Sequence, residues 1–141
     1  MTTSPEPQVI AERQLCGLVT GLAQRIAEHV REHAAALGLT AAQATALREM
    51  SGPMTMRELA ERMSCEPSNT TFVIDKLEQQ NLVERRPHPT DRRAKHLVLT
   101  SEGAELRTRL LERLTEGSPL AGLAPQDQQA LHRLLEQAIG H

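Results

Sequence analysis

The chain has no tryptophan, no tyrosine and a single phenylalanine, Phe72. Its core must therefore be filled by Leu, Ala, Val, Ile and Met. With Glu, Arg and Gln also abundant, that composition favours helices over a large sheet. Long apolar runs are missing too: no stretch approaches the ~20 residues needed to span a bilayer, so no membrane partner is expected. Met1 to Pro7 is polar and lacks the apolar core of a signal peptide, and a cytoplasmic location is expected. Cysteine is scarce. Cys16 and Cys65 form neither a CxxC pair nor a disulfide framework and read as free thiols. There is no G-x-S-x-G elbow, no P-loop, no glycine-rich dinucleotide loop and no HExxH zinc motif. Neither an enzyme nor a cofactor or metal is expected. His29 and His33 lie four apart on one helical face but have no third ligand in view, and they are read as exposed.

A strong excess of either charge is also absent. The net charge is −2 over 141 residues, a length that suits one domain. For a nucleic-acid binder the distribution matters more than the total. From Gln79 to Thr100 there are five basic residues (Arg85, Arg86, Arg92, Arg93, Lys95) against two acidic ones (Glu84, Asp91). That segment carries +3 and the remainder −5, and His88 and His96 could add to the island. A small basic island on an acidic body is what local phosphate contact requires. Taken alone, such a run reads more simply as a solvated face.

Its position in the chain changes the weighting. Apolar residues at Leu15, Leu18, Val19, Leu22, Ile26, Val30 and Leu37 recur at helical spacing, which predicts a first helix over 8–37, stopped by Gly38. Val9 and Ile10 precede any obvious internal partner, and a terminal helix this long suits packing on a second subunit. Thr40 with Gln43 is a capping box and opens a second helix, which ends at Ser51-Gly52-Pro53. Thr55 with Glu58 is another; it opens a third helix with Met56, Leu59, Ala60 and Met63 inward. After a break at Ser64-Cys65-Glu66-Pro67, a fourth helix runs over 67–80 with Thr70, Val73, Ile74 and Leu77 inward. Asn81 suits the left-handed residue that ends it. Two strands, 82–86 and 94–99, follow with residues 87–91 as the loop between them. Helices over 101–116, capped by Thr100, and over 125–139 complete the chain. Two short helices joined by a tight turn place the second in a major groove, and a hairpin directly after it reaches the neighbouring minor groove. The basic island lies on that hairpin, so it no longer reads as a solvated run.

The sequence resembles the MarR family of transcription regulators. The likeness is carried by Leu39-Thr40 with Gln43 and Leu47, by Met56-Arg57-Glu58-Leu59-Ala60, by Thr71 with Asp75-Lys76-Leu77-Glu78, and by Leu82-Val83-Glu84-Arg85. Most specific is Asp91-Arg92-Arg93 followed by Leu97-Val98-Leu99-Thr100, which matches the family's D-x-R wing and closing L-T. The resemblance implies a mainly α fold with a small β-hairpin wing: a winged helix-turn-helix over 39–100, flanked by dimerisation helices in 1–38 and 101–141, in one compact domain. It further implies a homodimer on a pseudo-palindromic operator in double-stranded DNA, acting as a repressor released by a small-molecule effector.

On that basis Ser68, Asn69 and Thr71, early in the fourth helix, are expected to touch bases and phosphates, although the same residues also serve helix starts. Phe72 stands where several family members have arginine; it packs either on a thymine methyl or into the seam between helix and wing. Arg92 and Arg93 are the wing-tip candidates, one of them for the minor groove. Arg85, Arg86 and Lys95 are expected phosphate contacts. Asp91 is expected to hold a neighbouring arginine and shape the turn. Cys16 follows Leu15 much as the sensing cysteine does in the family's organic-peroxide branch, which suggests a thiol-based, oxidant-sensing repressor. That branch uses tyrosines beside the thiol, and their absence favours a small buried residue at the dimer seam. Cys65 is read as structural. The remaining alternatives are a nucleic-acid binder without ligand sensing and a winged helix that binds protein, against which the basic wing argues.

Overall fold

The computed structural model describes residues 6–64 and 67–140. Six helices and one hairpin follow in the order α1 (Glu6–Ala36), α2 (Ala41–Glu49), α3 (Met56–Met63), α4 (Pro67–Gln79), β1 (Val83–Pro87), β2 (Lys95–Leu99), α5 (Ser101–Thr115) and α6 (Pro125–Ile139). The chain divides into two compact units, Val30–Leu114 and a second made of Met1–His29 with Thr115–His141. Among the described residues no helix is long and apolar enough to cross a membrane.

In the unit Val30–Leu114 the local rules act as the residue types dictate. Gly38, at φ +73°, turns the chain out of α1. Thr40 Oγ1 accepts from Gln43 N–H while Gln43 Oε1 accepts from Thr40 N–H, a complete capping box. At α3 only half of the second box forms. Thr55 Oγ1 accepts from Glu58 N–H, but the Glu58 carboxylate takes the Thr55 hydroxyl rather than its backbone N–H. Arg107 of α5 donates to the carbonyls of Leu47 and Arg48, and Arg62 to that of Glu49, so two guanidinium groups occupy the orphan carbonyls at the end of α2. The core is aliphatic: Leu47, Met50, Met54, Leu59, Ile74, Leu77, Val83, Leu97 and Leu110 are all but fully buried.

The hairpin is antiparallel, with Val83 opposite Leu99 and Pro87 opposite Lys95. A third, one-residue bridge was not legible in the sequence. Met54 and Leu97 exchange both backbone hydrogen bonds, at 3.3 and 2.7 Å. Because Leu97 turns its N–H and C=O toward Met54, the pairs of its parity, including Pro87 with Lys95, do not bond across the hairpin. This corrects the reading of Pro87 as loop. It is the last residue of β1, at a position where no donor is needed. His29 and His33 are half-buried rather than exposed, a second correction.

In the other unit, the N-terminal part of α1 and the whole of α6 keep apolar side chains exposed. Val9, Ile10, Leu15, Leu18 and Val19 line the first; Leu134, Leu135 and Ile139 line the second.

Candidate nucleic-acid interface

The α3–α4 corner begins where Ser64 adopts a left-handed φ of 54° as the C-cap of α3. Cys65, expected to be structural, lies outside the described residues. Along α4 the residues Thr70, Val73, Ile74 and Leu77 are buried, as their spacing predicts. On the opposite side Ser68, Phe72, Asp75 and Gln79 recur at i, i+4, i+7 and i+11, and Asn69, Thr71 and Lys76 flank them. Ser68, Asn69 and Thr71 are all exposed. Phe72 is 64% exposed, so it does not tuck into a seam with the wing. The Lys76 ammonium sits 5.5 Å from the centre of its ring.

Strand alternation sorts the arginines of the hairpin. Val83, Arg85, Leu97 and Leu99 share one face, and Glu84, Arg86, His96 and Val98 share the other. Arg85 therefore leans the same way as the buried Val83 and reaches α4, where it donates to Asp75 Oδ1 at 2.6 Å and Glu78 Oε1 at 2.9 Å. Its side chain is only 27% exposed. Arg86 points the other way and donates to Glu84 Oε2 at 3.0 and 3.2 Å. Two adjacent arginines thus have different partners because they lie on different faces.

At the hairpin tip Asp91 Oδ1 accepts the Arg93 backbone N–H at 3.0 Å, and its carbonyl accepts from Ala94 at 3.2 Å. Asp91 thus engages an arginine, but through the main chain rather than the guanidinium. Arg92, Arg93 and Lys95 are exposed, and among the described residues none of them has an ion-pair partner. His88 was expected only to contribute charge. Instead its Nδ1 accepts from the backbone N–H groups of Thr90 (3.1 Å) and Asp91 (3.0 Å), and its ring lies 4.3 Å from that of His96. Those bonds use the lone pair on Nδ1. Cys16 is exposed. Among the described residues no three His, Cys, Asp or Glu side chains are placed to hold a metal ion.

Residues 39–95 match the model of the MarR family. Over 98 residues the chain is 37% identical to the HTH-type transcriptional repressor MdtR of Bacillus subtilis (strain 168), covering 68% of this chain and 62% of that protein. The chain thus spans less than two thirds of the curated relatives it matches first. Among solved structures, wild-type apo MarR from E. coli superposes with a TM-score of 0.70 at 25% identity, covering 88% of this chain and 96% of that one. Reduced AbfR bound to DNA superposes with a TM-score of 0.77 at 20% identity, covering 98% of each chain.

Proposed function

The chain belongs to the MarR family of winged helix-turn-helix proteins, and from that premise we propose that it is a non-catalytic, cytoplasmic transcription regulator that binds a pseudo-palindromic operator as a homodimer. The observation that carries this reading is the continuity of two exposed surfaces. The outward face of α4 leads through a short corner into a hairpin whose tip presents Arg92 and Arg93 exposed and, among the described residues, without an ion-pair partner. In this reading α4 enters a major groove, with Ser68, Asn69 and Thr71 toward bases and phosphates. The hairpin follows the backbone into the adjacent minor groove, where negative potential attracts arginine. Arg86 and Lys95 contact phosphates. Arg85 is reassigned: with both carboxylates engaged, it fixes the wing on α4 rather than meeting DNA. Asp91 and His88 shape the tip.

Residues 1–38 and 101–141 supply the dimerisation helices, supported by the exposed apolar residues of α1 and α6. Repression is supported by the relative named as a repressor, and release by a small-molecule effector is what the resemblance to the family implies. A thiol-based switch at Cys16 is the second reading, favoured by its exposure in the chain.

The test is binding of the pure protein to the promoter DNA flanking its own gene, at two salt concentrations, for wild type and Arg92→Ala/Arg93→Ala. The expected result is tight, salt-sensitive binding by wild type that the double variant loses. No binding to that DNA or to an unselected genomic library would replace this reading with a protein-binding winged helix.

A further inference from the structure

The outward face of α4 is polar except at one position. Ser68 and Gln79 carry uncharged polar groups and Asp75 is held by Arg85, while Phe72 stands in the middle of the face at 64% exposure. The chain has no other Phe, Tyr or Trp, and this one stands on the outward face of α4 rather than in the core. The Lys76 ammonium, one turn on, lies 5.5 Å from the ring centre. Most of the ring is open to solvent.

Base edges in the major groove offer acceptors, donors and one apolar group, the C5-methyl of thymine. An aromatic ring gains nothing from the polar edges and would leave them desolvated and unpaired. We infer that Phe72 is a specificity residue that reads the methyl group of one thymine in each half of the operator. The inference rests on the DNA-binding reading above and narrows it to a class of site: one in which a thymine, and not merely an A·T pair, faces the middle of α4.

Deoxyuridine separates the methyl from the rest of the base, since it pairs as thymine does and lacks only that group. The full chain selects its preferred duplex from a random library. Each thymine of that duplex is then replaced singly by deoxyuridine, and affinity is measured for wild type, Phe72→Ala and Phe72→Leu. At one thymine per half-site, loss of the methyl should weaken wild type about fourfold, the worth of one buried methyl-sized group. Phe72→Ala should bind the thymine and uracil duplexes equally. Phe72→Leu, which keeps an apolar contact, should still prefer thymine. Because Phe72 is exposed, both variants are expected to fold. Wild-type indifference to uracil at every thymine, or an undiminished preference in Phe72→Ala, overturns the inference while leaving DNA binding intact. Failure to enrich any sequence is a different result: it overturns the DNA-binding reading and this inference with it.

Discussion

Gly103 and Leu82 lie 21 positions apart in the sequence, and their contact decides how the wing is mounted. A Cβ at Gly103 would overlap the Leu82 carbonyl. That carbonyl also accepts the Thr100 N–H at 3.1 Å, while the Thr100 hydroxyl donates to the Asn81 carbonyl at 2.8 Å and accepts the Gly103 N–H at 3.0 Å. The end of α4, the close of the hairpin and the first turn of α5 are thus pinned at one point. In an ordinary helix interior, replacing Gly by Ala stabilises by about 1 kcal/mol. Here the sign should reverse: Gly103→Ala is expected to cost about 2 kcal/mol through overpacking against rigid backbone. A lowered midpoint in urea unfolding is the expected reading, and a raised one would refute the contact. The sequence marks Thr100 as a cap and Asn81 as a left-handed residue, and both are so placed, Asn81 at φ 61°. It does not mark Gly103, because a close approach between distant segments leaves no trace in local spacing.

Among the elements, the hairpin and α4 carry the two groups of proposed DNA contacts, and Arg85 is what joins them. Its bonds to Asp75 and Glu78 link β1 to α4. A residue that contacts phosphate and one that only aligns two elements can be told apart by salt. Arg93→Ala should reduce the slope of log affinity against log salt by about one, because one phosphate contact is lost. Arg85→Ala should weaken binding with that slope unchanged, and should lower stability by about 1 kcal/mol, the scale of a partly exposed ion pair. A reduced slope for Arg85→Ala would restore it as a phosphate contact. The difference between Arg85 and its neighbour was within reach of the sequence. Val83 must face inward, alternation puts Arg85 on the same side, and Asp75 and Glu78 lie on the helix before it. Reading the whole run as one charge island hid that alternation. The helices themselves were legible to within two residues because their caps and periodicities agree. The Met54 bridge was not, since a single paired residue has no period.

For the whole molecule the open requirement is a partner for the apolar residues of α1 and α6. Leu18 is 72% exposed and Leu134 54% exposed in the single chain. Exposed leucines scattered singly need no explanation, but here they recur along two helices at helical spacing. If a second copy covers them, both become buried on association, and each contributes roughly 1.5 kcal/mol or more. Leu18→Asp/Leu134→Asp should then raise the dimer dissociation constant by at least about a hundredfold, with a carboxylate's desolvation adding to the lost burial. Sedimentation equilibrium reads that change directly. Helical circular dichroism of the double variant should persist, because neither side chain is buried within the chain. The consequence for DNA is separable as well. A monomer keeps its α4 and wing, so it should still bind a half-site weakly while losing the advantage of two half-sites on one molecule. A wild-type chain that sediments as a monomer at micromolar concentration, or a double variant that stays dimeric, would refute the assignment of these helices. The winged region would then have to recognise its operator one half-site at a time.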